Sequence, residues 1–148
     1  MAARPGFDPF AHLPHAGAAR MLESVLESTK VSIRCSARIP SGNPFVRDGR
    51  APAFVGLEIA AQAAASLEII NRANASAGQP PRVGYVVSVR GVRLSRATLP
   101  AGAPLIAVAV ADGAAPPLRV YRVSLYADEE RVLDGSISTY VEEPEGGE

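Results

Sequence analysis

Glu58 and Gln62 stand four residues apart in "APAFVGLEIAAQAAASLEII", a run of small and apolar residues from Ala51 to Ile70. That spacing stacks the two side chains on one face of a helix. A carboxylate in such a setting is a candidate proton donor or base, and an amide beside it a candidate to hold a hydroxyl or carbonyl. An apolar setting favours the neutral acid, whereas the positive end of a helix dipole favours the anion, so the two influences oppose each other. The plainer alternative for Glu58 is a helix-start carboxylate that complements the dipole, and for Gln62 a satisfied core amide. Upstream lies "PSGNPFVRDGRAP", Pro40 to Pro52, a long loop that delivers the chain to the helix start, where unbonded N–H groups can receive a developing oxyanion.

The elements that must position these residues follow from periodicity. Val31, Ile33, Cys35, Ala37 and Ile39 alternate with polar residues and predict a half-buried strand, preceded by another from Met21 and a turn at Glu27 to Lys30. A helix is predicted from near Ala53 to about Ala73, apolar on most sides and therefore enclosed. Four strand-like segments follow, beginning at Val83, Ala103, Leu118 and Arg131, and they favour an antiparallel meander. One helix against one antiparallel sheet implies an α+β domain whose sheet curls around the helix. A second subunit, paired through an edge strand, is expected to cover the remainder, a two-fold dimer being the commonest solution.

The 148 residues suit a single domain over 1–148, with residues 1–12 and 143–148 expected to be loosely ordered. Fifteen basic and fifteen acidic side chains cancel, so no global field draws the chain to nucleic acid or to an anionic membrane surface. There is no apolar run long enough to span a bilayer, and one lone cysteine, Cys35, permits no internal disulfide. These features predict a cytoplasmic protein. Without a phosphate-binding Gly-rich loop, a Ser-His-Asp pattern or Cys/His metal spacing, no cofactor and no metal is expected.

The motif of Pro, a spacer, an acid and a Gln four residues on, "PAFVGLEIAAQ", with "LPH" upstream, resembles the hotdog-fold 3-hydroxyacyl-acyl carrier protein dehydratases. Within that superfamily the order "LPHAG", "GRAPAFVGLEIAAQ", "RVGYVVSVR", "LPAG" is most similar to the dehydratase-like proteins of aryl polyene gene clusters, over Leu13 to Val141. The resemblance implies a hotdog fold and elimination of water from a 3-hydroxyacyl thioester held on an acyl carrier protein or coenzyme A, in fatty-acid or aryl-polyene biosynthesis. It implies that Glu58 protonates the departing hydroxyl, that Gln62 helps hold it, and that the Ala53 backbone amide polarises the thioester carbonyl. The typical dehydratases open their loop with a His-Phe pair whose His removes the α-proton. Here Phe45 falls on the Phe and Pro44 on the His, with Asn43 one place earlier, and neither Pro nor Asn is a base. Phe45 and Asn43 are expected at the substrate.

Candidates for the base are His15 of "LPH", Asp48 of the loop, and Glu58 acting alone. The plainer readings are a structural histidine for His15 and a turn residue of Asp-Gly for Asp48. Arg90, Arg93 and Arg96 could meet an acidic carrier protein or simply guard a strand edge with charge. Two further functions stay open: a non-catalytic acyl-binding subunit or hotdog partner in a heterodimer, and an acyl thioesterase.

Overall fold

In the computed structural model, residues 6–14, 16–75 and 84–141 are described. Strand β1 (Leu22–Ser28) turns into β2 (Ser32–Ala37), and the loop that follows ends in a short β3 (Arg50–Pro52) leading into helix α1 (Val55–Ala75). Then come β4 (Gly84–Leu94), a short β5 (Thr98–Pro100), β6 (Leu105–Ala115), β7 (Leu118–Ala127) and β8 (Glu130–Val141). Six strands form one antiparallel sheet in the order β1-β2-β6-β7-β8-β4, while β3 and β5 pair separately.

The predicted alternation places the core. Ile33, Cys35 and Ala37 point inward from β2, Leu105, Ala107 and Ala109 from β6, and Tyr121, Val123, Leu125 and Ala127 from β7. The register aligns Cys35, Ala107, Leu125 and Leu133 into one row across four strands. Helix α1 lies on that inner face, packed mainly against β6, β2 and β7. Ala60, Ala63 and Ala64 of α1 are fully buried, as are Ala107 and Ala109, so small side chains on both elements let helix and sheet approach closely. At Gly56 a Cβ would come within 2.8 Å of Leu125 Cδ2 and 3.1 Å of Leu133 Cδ1, so only glycine fits under the sheet there. The helix is the expected enclosed one, displaced by two residues at each end.

Two expectations change. The strands after the helix are not a simple meander: β6, β7 and β8 are, but β4 pairs with the far side of β8 and forms the sheet edge. The loop from Pro40 to Pro52 contains β3, tied to β5 in the segment predicted as a turn. Over its described part the leading segment includes a 3-10 helix, Pro9–His12, capped by the Asp8 side chain, with Phe10 buried. The tail 143–148 lies outside the described residues. Among the described residues no helix is long and apolar enough to cross a membrane. The exposed edge of β4 carries Val86, Val87 and Val89, which are 45%, 55% and 45% exposed.

Candidate active site

The loop is shaped by Asn43. Its Oδ1 accepts the Phe45 N–H at 3.0 Å, and its Nδ2 donates to the Ala18 carbonyl at 3.1 Å. These bonds turn the chain so that Pro44 and Phe45 face outward, Phe45 being 51% exposed. Asn43 itself is only 6% exposed, so its amide holds the loop against the segment before β1. Beyond it, Asp48 and Gly49 occupy a two-residue hairpin with φ of 52° and 74°, closed by paired bonds between Arg47 and Arg50 of 2.8 and 3.1 Å. Two consecutive positive φ angles are what an Asp-Gly turn supplies. Asp48, one of the candidate bases, is therefore a turn residue, exposed and outside the cavity described below.

The β3–β5 pairing then sets the helix start. The Ala53 N–H, expected at the thioester carbonyl, donates to the Ala97 carbonyl at 2.9 Å and ties the helix mouth to the scaffold. Among the described residues, the N–H groups of Phe54 and Val55 have no hydrogen-bond partner, while those of Gly56 and Leu57 close the first turn onto Ala53 and Phe54.

Gln62 is fully buried. Its Oε1 accepts the Met21 N–H at 3.0 Å and its Nε2 donates to the Ala19 carbonyl at 2.7 Å. Expected at the substrate, Gln62 has both ends of its amide bonded within the protein, where it fixes the segment Ala19 to Met21. The shared helical face with Glu58 holds only loosely, since four residues advance a helix by a full turn plus about 40°. That rotation carries Gln62 into the core and leaves Glu58 exposed on the single chain.

Glu58 borders a cavity of about 420 Å³. Met21, Asn43, Phe45, Phe54 and Leu57 form much of its remaining wall, and Glu58 is its one ionisable group among the described residues. Phe54 is 49% exposed, and its ring meets that of Phe45 edge-on with centroids 5.5 Å apart at 81°. The site therefore combines a carboxylate, two helix-start amides and an apolar, aromatic-rimmed hollow. Phe54, Met21 and Leu57 were not anticipated. An aromatic at the helix mouth was visible in "PAFVG", but nothing in the pattern placed it outside the core.

Of the histidines, His12 is exposed and stacked on Phe7 at 5.4 Å, and His15 lies outside the described residues. The Cys35 thiol is buried and pushed up to about 12 by desolvation, which makes it a core residue and not a nucleophile. Arg96 is paired with Glu130 at 2.6 Å, whereas Arg90 and Arg93 are exposed along the β4 edge. Among the described residues no group of His, Cys, Asp and Glu could hold a metal ion.

Comparison with known proteins accords with this geometry. No curated protein matches the chain. Among solved structures, the dehydratase heterocomplex ApeI:P from Xenorhabdus doucetiae superposes with a TM-score of 0.82 at 19% identity, covering 93% of both chains. A hypothetical thioesterase with coenzyme A from Streptococcus pneumoniae superposes at 0.61 with 9% identity over 80% of this chain and 84% of that one. A mutant thioesterase from Pseudomonas aeruginosa gives 0.59 at 13% identity over 79% and 78%. The shared architecture is the hotdog fold. The profile of the ApeP-like family, described as ApeP dehydratase, matches residues 7–146, and the chain belongs to that family.

Proposed function

We propose that this protein is a hydro-lyase that removes water from 3-hydroxyacyl thioesters presented by an acyl carrier protein in the cytoplasm, in fatty-acid or aryl-polyene-type biosynthesis. The observation that carries the reading is the placement of Glu58 at an apolar cavity beside the two unbonded amides that open α1. In this scheme the thioester oxygen accepts hydrogen bonds from Phe54 and Val55 N–H, which stabilise the enolate formed when the α-proton leaves. Glu58 takes that proton as carboxylate and returns it to the 3-hydroxyl, which departs as water, leaving an enoyl thioester. His15 is the alternative acceptor of the α-proton, with Glu58 then acting only as the acid. The acyl chain rests against Phe45, Phe54 and Leu57.

Glu58 is exposed on one chain, so the proposal includes a second subunit that covers the cavity, joined through the edge of β4 where three valines face outward. That subunit is another copy of this chain or a different hotdog subunit. Pro44, standing where the resembled dehydratases carry their loop histidine, favours a second reading: a partner that binds acyl groups and supports a catalytic subunit.

Incubation of the purified protein with 3-hydroxyacyl and enoyl thioesters, alone and mixed with a second hotdog subunit, tests both. Interconversion of the two thioesters, abolished in Glu58→Gln, supports the lyase. Loss in His15→Ala as well identifies the base. Turnover only in the mixture, insensitive to Glu58→Gln, supports the partner reading, and release of the thiol replaces both with thioester hydrolysis.

A further inference from the structure

The residues that line the Glu58 cavity are graded by depth. Pro44, Phe45, Phe54 and Glu58 are exposed and form its rim, whereas Met21, Asn43 and Val55 are buried and close its inner end. Asn43 commits its amide to the loop and to Ala18, and Val55 is the first residue of α1, so neither can give way without moving an element. Met21 is different. It is 2% exposed, and its side chain is the one long, unbranched and adaptable group on this floor.

The Met21 backbone is pinned on both sides. Its N–H donates to Gln62 Oε1 at 3.0 Å, and its carbonyl accepts the Arg38 N–H at 3.0 Å. A floor built on a backbone fixed in this way lies wherever the side chain ends. One side of that side chain packs into the hydrophobic core and another faces the hollow. Its sulfur lies 3.8 Å from Asn43 Nδ2, a weak contact because a thioether is a poor acceptor. The depth of the cavity is therefore set by side-chain length, and the tip that sets it is soft.

We infer that Met21 is the stop that limits how long an acyl tail the cavity accepts. The inference rests on the reading of that cavity as an acyl-thioester site. With the thioester oxygen at the Phe54 and Val55 amides and the reacting carbons at Glu58, the tail can run outward past the aromatic rim or inward toward Met21. Inward burial takes apolar surface out of water, a gain of roughly fourfold in affinity per methylene, so the tail runs inward until it meets the thioether.

Calorimetric titration of the full chain, in the assembly it forms, tests the stop. The probes are saturated acyl pantetheine amides from butanoyl to dodecanoyl, in which an amide replaces the thioester so that nothing turns over. Affinity for the parent is expected to climb by roughly fourfold per methylene and then to level off or fall. In Met21→Ala, which removes the side chain beyond Cβ, the climb is expected to continue for about two or three further methylenes, a gain of at least about tenfold over the parent for the longer chains. Met21→Val, a smaller truncation that keeps the test decisive should Met21→Ala fail to fold, is expected to move the limit by about one methylene. Met21→Leu, close to Met in volume, is expected to leave it in place. The chain has two methionines, Met1 and Met21, so isotope-labelled methionine methyl groups give Met21 its own resonance. That signal is expected to shift with chains at the limit and to stay unmoved with butanoyl. A limit unchanged in the truncated variants, or a uniform loss of affinity at every length, overturns the stop and leaves the acyl site standing. Failure of every probe to bind the parent overturns the acyl reading of the cavity itself, and the stop with it.

Discussion

The two ends of helix α1 handle an acidic residue in contrary ways. At its start, Glu58 is exposed beside a hollow with an apolar wall and aromatic rim. In its second half, Glu68 has a side chain only 9% exposed, tied by Tyr121 and Thr139 to two different strands, with Arg119 Nε at 3.9 Å. In the sequence both read as acids inside an apolar helix. What separates them is the surface each side chain meets: the sheet offers hydroxyl donors to Glu68, whereas Glu58 emerges where the helix clears the sheet and the loop curls past it. The first arrangement suits a group that exchanges a proton with a substrate. The second suits a group that locks helix to sheet.

If that division is right, the largest effect of any single change is on rate and falls at the helix start. Glu58→Gln is expected to lower elimination from a 3-hydroxyacyl thioester by about 10²–10⁴-fold, the usual contribution of a positioned acid/base group. Its unfolding free energy should fall by no more than about 1 kcal/mol, the usual worth of an exposed charge interaction. A steady-state assay paired with denaturant unfolding checks both halves. A stability loss matching the loss of rate would erase the contrast between the two acids.

Next in size is the wall of the Glu58 cavity. Gln62→Leu leaves the buried Met21 N–H and Ala19 carbonyl without partners, at about 1–3 kcal/mol for each. Here stability falls first, and any change in turnover follows from displacement of the Ala19–Met21 segment. Gln62→Glu is the sharper probe, because it can still accept from Met21 but can donate to Ala19 only when protonated. Its stability should therefore improve on acidification from pH 7 to 5, whereas the parent shows no such gain. Smaller again is Gly56→Ala, which drives a methyl group to within 2.8 Å of the fully buried Leu125 and is expected to cost about 1–3 kcal/mol by overpacking, with thermal unfolding as the measure.

Periodicity made the scaffold readable. The alternation from Val31 to Ile39 and the apolar run after Pro52 yielded β2 and α1 because each signal is local and sustained. β3 and β5 escaped because three residues carry no period, and their Pro and Gly neighbours obey turn rules. The edge position of β4 escaped because pairing is a non-local choice, and nothing in "VGYVVSVRGVRL" distinguishes β8 from β6 as its neighbour. At the site, helical spacing found Glu58 and Gln62 but could not show that Gln62 turns inward. The bond of the Ala53 amide was not legible because its acceptor, Ala97, belongs to the unseen β3–β5 connection. Glu68 went unremarked for the same reason, its hydroxyl partners lying 53 and 71 residues further along the chain.

The last expected effect develops only at alkaline pH and separates the two ends once more. Burial, and then the negative charge of Glu68, raise the Tyr121 phenol above its ordinary range, so the folded chain keeps that proton when an unfolded tyrosine, with a pKa of about 10, has released it. A group raised on folding stabilises fully below its unfolded pKa and loses that contribution as pH climbs. The Cys35 thiol, pushed up to about 12 from 9.0, acts in the same sense and from a lower starting point. Stability should thus be flat with respect to these two groups at neutral pH, decline above pH 9 as Cys35 comes into play, and steepen beyond about pH 10 as Tyr121 joins, each group adding up to about 1.4 kcal/mol per pH unit. Cys35→Ala should remove the first part of the decline and Tyr121→Phe the second, as read by denaturant unfolding at stepped pH. Glu58→Gln should leave both parts untouched, and a Tyr121→Phe variant that kept the full alkaline slope would mean that the Glu68 end is not the buried, charge-coupled lock described above.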